Sequence, residues 1–339
     1  MRIRAFAAPS GNYLDGTVLR DTLADILERE AENVARTVDA WVNGGLDHVY
    51  FVGCGGSRAI MEPAKWLMDR FSPLPADRYS GWEFVCRAPR RLTERSAVVL
   101  ASHSGTTEEI LRGLEVARER GARTAGFSLP DTPLARQVDA SFVYQSPAAN
   151  LSKLILTYLV TANLIRRTGP ADEGERLLAA IAKLPDLVHS IKEAAEARSR
   201  ELAAKYKDRK GFYVVGTGPL AGLAYQFQIC TLMEMLWMHA ASINAAEFRH
   251  GPFEIVDKDL PMIFLLGADE SRPIAERALA FAQRHGADTI VFDLRDFPEV
   301  DPDLAPFAIH IPLQWFAWYL SKERNHPLAT RRYMGKVPY

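Results

Sequence analysis

The sequence predicts an α/β protein built as two doubly wound parallel-sheet domains in tandem. Three observations point there. Short, nearly continuous apolar runs alternate with amphipathic helical stretches, a pattern that suits parallel strands buried on both faces. Several runs end in glycine or serine, where open parallel sheets hold their ligands. The order of elements then starts again near residue 211.

Residues 48–55 (HVYFVGCG) form the first β-rich run, followed by helical material over 59–70. Residues 96–102 (SAVVLAS) read as a second buried strand. Over 104–121, Ile110, Leu111, Leu114 and Ala117 share one helical face and Gly121 is the stop signal. Strands at 123–129 and 141–145 and a helix over 152–167 close the half. The connector, 171–210, is rich in Ala, Glu, Lys and Arg and reads as helical. The second half opens at 211–218 (GFYVVGTG). A long apolar run over 220–242 (LAGLAYQFQICTLMEMLWMHAAS) reads as a buried helix. A strand at 262–267, a helix at 272–285 and a strand at 289–294 complete it. The expected division is an N-terminal segment 1–30, domains 31–190 and 191–325, and a tail 326–339.

At 339 residues the chain has room for two domains, and 48% hydrophobic with 24% charged residues is ordinary globular composition. A net charge of −1 gives no reason to expect a nucleic-acid or anionic-membrane partner. Cys54, Cys86 and Cys230 are scattered, which argues for a reducing compartment and against structural zinc. The N-terminus lacks the apolar core of a signal peptide, and no run is suited to a membrane span. The expectation is a soluble cytoplasmic protein.

Glu234 is the only charged side chain in the 220–242 run. One reading is a satisfied core acid. The other is a carboxylate placed to pass protons near neutral pH. His250 follows in a loop-like Arg249-His250-Gly251-Pro252. Two strand ends are suited to phosphate: Gly53-Cys54-Gly55-Gly56-Ser57, and Ser102-His103-Ser104-Gly105-Thr106-Thr107 directly before a helix. A helix N-terminus presents N–H groups to an anion, the hydroxyls of Ser102, Ser104 and Thr107 add donors, and Gly105 permits close approach. Against this stands ordinary capping, with Thr106 and Glu109 as a capping box. Neither loop is a Walker motif or a GxGxxG fingerprint, so a sugar phosphate is favoured over a nucleotide.

These segments, FVGCGGS at 51–57, ASHSGTTEEIL at 101–111 and MEMLWMHAASINAAEFRHGPFEIVD at 233–257, resemble the SIS (sugar isomerase) family of flavodoxin-like phosphosugar-binding domains. The resemblance covers nearly the whole chain and is similar to the isomerase half of glucosamine-6-phosphate synthase. It implies that residues 102–107 bind phosphate, although His103 and Thr106 depart from the family's Ser-Gln-Ser-Gly-Glu-Thr. It implies catalytic roles for Glu234 and His250, with the histidine lent by a second copy in a homodimer or higher oligomer. The synthase has a further glutamate and lysine where this chain has Phe227 and Thr231, and it needs a glutaminase domain that is not found here. The sequence looks more like bacterial deglycases of phosphorylated Amadori compounds. No cofactor or metal is implied.

That resemblance implies ketose–aldose isomerisation through an enaminol, followed by hydrolysis of an imine. An aminosugar-phosphate isomerase or deaminase and a non-catalytic sugar-phosphate sensor are the alternatives. Gly55, Gly56 and Ser57 would line the substrate, with Ser57 either binding a sugar hydroxyl or capping a turn. His103 faces the substrate or packs in its loop. Lys336 either covers the site from the tail or is solvated. Arg331 and Arg332 pair with an acidic substrate moiety or are structural. Cys54 reads as packing, and His239, off the helical face of Glu234, as structural.

Overall fold

Continuous apolar runs bury best at the centre of a parallel sheet, and the strands sort accordingly. The computed structural model describes residues 3–6, 8, 10–259 and 261–338, so Tyr339 at the end of the tail lies outside them. The chain divides into two units, Met1–Asp186 and Leu187–Tyr339.

In the first unit, β1 (His48–Gly53), β2 (Ala76–Tyr79), β3 (Ser96–Ala101), β4 (Arg123–Ser128) and β5 (Ala140–Val143) form one sheet. The order is β2-β1-β3-β4-β5 and every pair is parallel. The helices are α1 (Val18–Asn43), α2 (Gly56–Ala59), α3 (Glu62–Phe71), α4 (Gly81–Arg87), α5 (Glu108–Glu119), α6 (Pro133–Gln137) and α7 (Ala149–Thr168). Every residue of β1 and β3 is buried. Ile110 and Leu114 of α5 pack with Val52 of β1 and Leu100 of β3 in one core cluster. Burial of each such side chain stabilises the unit by about 1.5–3 kcal/mol. Helix α7 is buried without a break from Leu151 to Ile165, as an all-round apolar helix must be. The strand β2 (ADRY) escapes the sequence reading because it is short and polar and lies at the sheet edge.

The connector is helical, as α8 (Ala171–Ala182) and α9 (Leu184–Tyr206). In the second unit, β6 (Gly211–Gly216), β7 (His239–Asn244), β8 (Met262–Leu266) and β9 (Thr289–Asp293) form a second parallel sheet in the order β7-β6-β8-β9. Its remaining helices include α10 (Ala221–Gln226), α11 (Arg272–Arg284) and α12 (Ala305–Glu323).

The 220–242 run is not one buried helix. Helix α10 widens into a π-helix over Phe227–Met235. Trp237, at φ +54°, then reverses the chain into β7. That strand pairs with β6 through His239 opposite Gly211. A left-handed tryptophan is sterically costly. Among the described residues no helix is long and apolar enough to cross a membrane.

Candidate functional site

In the first sheet the strand order reverses direction at β1, with β2 on one side and β3 on the other. Ligands of such sheets bind outside the strand ends at this switch point. Gly53 and Ala101, the last residues of β1 and β3, lie opposite each other in register. The topology therefore brings the two candidate loops to one edge.

The loop after β1 turns at Gly55, whose φ of +54° and ψ of −124° suit only glycine. Gly56 and Ser57 then open α2. Ser57 is not a turn cap. Its Oγ accepts a hydrogen bond from the Nζ of Lys153 at 2.7 Å, and the two residues are 7% and 3% exposed. Lys153 lies on α7 and was not singled out from the sequence. Cys54 packs against the same core cluster, and burial raises its thiol pKa, as a packing role requires.

The loop after β3 is held by its own hydroxyls. Ser102 Oγ lies 2.8 Å from Thr107 Oγ1 and accepts from the Gly105 N–H at 3.1 Å. Ser104 Oγ accepts from the Thr106 hydroxyl at 2.9 Å and from its N–H at 3.3 Å. The capping box of Thr106 and Glu109 does not form. Thr107 caps α5 without a side-chain bond, because its hydroxyl is engaged by Ser102. Gly105 has φ +63° and packs so closely on Thr132 that a Cβ would overlap that side chain. His103 rests on Tyr144, with Nδ1 3.0 Å from the phenol oxygen and ring centroids 5.7 Å apart. Burial of the ring, and then the charge of Lys153, hold the His103 pKa down at about 4, so the imidazole is neutral at neutral pH. The cradle thus offers hydroxyls and a helix N-terminus to an anion.

In the second unit Glu234 departs from expectation. Its side chain is 28% exposed, and its Oε1 lies 2.9 Å from Arg331 Nη2. The expected buried acid is instead a half-exposed, ion-paired one, because the π-helix turns it towards an open cavity of about 730 Å³. Met233, Trp237, His239, Arg331 and Tyr333 are among the residues lining that cavity. His239 leaves the helix for β7, which brings it to the cavity wall. Arg332 stacks its guanidinium over Trp237 at 4.4 Å, and Lys336 Nζ donates to the carbonyl of Arg331 at 2.5 Å. These contacts fold the tail beside Glu234. Lys336 itself does not line the cavity.

His250 does not line it either. It is exposed in a turn that follows a 3₁₀ helix, with its N–H donating to Glu247 O at 2.9 Å. The neighbouring Phe248 is buried against Phe264 and Phe281, which anchors the turn and leaves the imidazole facing outwards.

Comparison with known proteins follows the same division. The SIS domain model matches residues 46–166. The chain is 37% identical to fructoselysine 6-phosphate deglycase of Escherichia coli K12 over 312 residues, which cover 91% of this chain and 92% of that protein. It is 37% identical to fructosamine deglycase FrlB of Bacillus subtilis, covering 87% and 93%. Glutamine–fructose-6-phosphate aminotransferase of Thermus thermophilus is 27% identical, with 96% of this chain matching 57% of that protein. A Bacillus subtilis crystal structure assigned as a phosphosugar isomerase superposes with a TM-score of 0.83 at 36% identity, covering 92% of this chain and all of that one. With both sheets, the switch-point loops and these likenesses in agreement, the chain belongs to the SIS domain family.

Proposed function

We propose that this protein is an enzyme that cleaves 6-phosphorylated Amadori compounds, fructosyl-amino acid 6-phosphates, with water to glucose 6-phosphate and the free amino acid. Two features in combination carry this reading. Glu234 opens onto a cavity of about 730 Å³, and the chain is 37% identical to fructoselysine 6-phosphate deglycase across nearly the full length of both.

In the proposed reaction the phosphate sits on Ser102, Ser104 and Thr107, with Gly105, Gly55, Gly56 and Ser57 closing round it. Histidine 250 assists ring opening by proton transfer at the ring and C2 oxygens. Glu234 removes a proton from C1, giving an enaminol, and a proton returns at C2. The product is an imine at C1, which water hydrolyses. His250 is supplied by a second copy of the chain. Its exposure, in an anchored turn outside the cavity of Glu234, supports that arrangement. A cytoplasmic homodimer belongs to the same proposal.

The test is mass-spectrometric detection of glucose 6-phosphate from a panel of phosphorylated Amadori compounds, with glucosamine 6-phosphate alongside. Release from the former supports a deglycase, and turnover of only the latter supports an aminosugar-phosphate deaminase. Glu234→Gln should keep product binding and lose about 10²–10⁴-fold in turnover, the usual contribution of a general base. Normal turnover in that variant would refute the role of Glu234.

A further inference from the structure

Lys153 is the fifth residue of α7 and the only charged one in its buried stretch Leu151 to Ile165. The residue is 3% exposed, so its amino group has little water to bind and depends on polar partners inside the protein. Its Nζ donates to Ser57 Oγ at 2.7 Å. The direction of that bond matters. An oxygen that accepts from an ammonium keeps its own proton for another acceptor, and the adjacent charge strengthens that second bond.

The same cation acts on both sides of the switch point. It holds Ser57, which follows β1, and its charge is felt by His103, which follows β3. Residues 102–107 contain no lysine or arginine. The loop after β3 therefore carries no full positive charge on its own residues; across the switch point, Arg58 follows Ser57 in α2 and acts on Cys54.

We propose that Lys153 is a positioning residue of the phosphate site: it holds Ser57 with the hydroxyl proton directed to a phosphate oxygen and adds positive charge beside the loop after β3, whose own residues have none. This rests on the phosphosugar reading and adds to it a residue that contacts the ligand through Ser57.

Inorganic phosphate and glucose 6-phosphate are titrated calorimetrically into the full chain as wild type, K153M, K153R, S57A and the double variant S104A/T107V. In K153M both ligands should bind about tenfold or more weakly, the loss of one charge-assisted hydrogen bond. K153R should recover part of that loss. With its Lys153 ε-carbon labelled, the wild-type protein should show a resonance that moves when phosphate is added and stays still when glucose is added. That measurement needs no variant to fold, and a lysine that only packs the helix would not respond. A folded K153M with phosphate affinity within about twofold of wild type overturns the proposal, as does a lysine resonance that ignores phosphate. If S104A/T107V binds phosphate normally, the phosphate-loop reading itself fails. If that double variant loses binding while K153M keeps it, only the inference about Lys153 fails.

Discussion

Replacing Gly105 by alanine perturbs the loop after β3 where its backbone packs against Thr132. At φ +63° an alanine is held in the left-handed region, at a cost of about 1–2 kcal/mol. The added Cβ also overlaps the Thr132 side chain. Thr132 cannot simply move aside: it caps α6 by accepting from the Ala135 N–H at 3.2 Å, lies 2.9 Å from Ser128 Oγ, and is 9% exposed. Displacing it costs about 1–2 kcal/mol more, the usual worth of a helix cap. The sum is about 3 kcal/mol, which for a unit of this size lowers its melting temperature by about 6–12 °C. Differential scanning calorimetry reads the stability. Substrate titration of the folded variant should show a raised KM for the phosphorylated substrate, since Ser102 Oγ accepts from the Gly105 N–H. An alanine variant with wild-type melting temperature and unchanged KM would refute both the strain and the role given to the loop.

Arg331→Ala should free the tail, because its guanidinium ties the tail to Glu234 at 2.9 Å. Cleavage after Tyr333 by chymotrypsin should accelerate and kcat/KM should fall about tenfold, while stability changes by less than about 1 kcal/mol, as for other half-exposed ion pairs. Unchanged proteolysis and activity would show the pair to be incidental. His310 of α12 is buried, and burial holds its pKa down at about 4 against 6.5 in the unfolded chain. The unfolded state binds the extra proton, so the contribution of neutral His310 is complete above about pH 6.5 and is lost as pH falls through 4. The loss approaches about 3 kcal/mol at the acid limit. H310Q should flatten the dependence of unfolding free energy on pH between those values, and an unchanged slope would contradict the burial argument.

The central strands β1 and β3 were legible because burial on both faces leaves an unbroken apolar run, whereas the short polar edge strand β2 was not. The strand β7 was not, because HAASIN continues the apolar run that begins in α10, and nothing local announces a left-handed Trp237. Missing that turn also misplaced His239. The loops after β1 and β3 were found, since serines and glycines at strand ends are local signals. Lys153 was missed, although a signal was present. It is the single charge in the apolar stretch 151–165, the same criterion that singled out Glu234. Of the two, the lysine is the buried group and the glutamate the accessible one. Apolar neighbours in sequence show that an element is buried. They do not show which face of it carries the charge, and at Glu234 the π-helix turned that face towards the cavity.

Proton abstraction at C1 is the step on which the proposed cleavage rests. Its most direct test uses a fructosyl-amino acid 6-phosphate carrying two deuterons at C1, with products resolved by mass spectrometry and NMR. Isomerisation followed by imine hydrolysis yields glucose 6-phosphate with a single deuteron at C1, and Glu234→Gln should abolish its formation. Fructose 6-phosphate that keeps both deuterons would mean direct displacement of the amine by water, and would contradict the account.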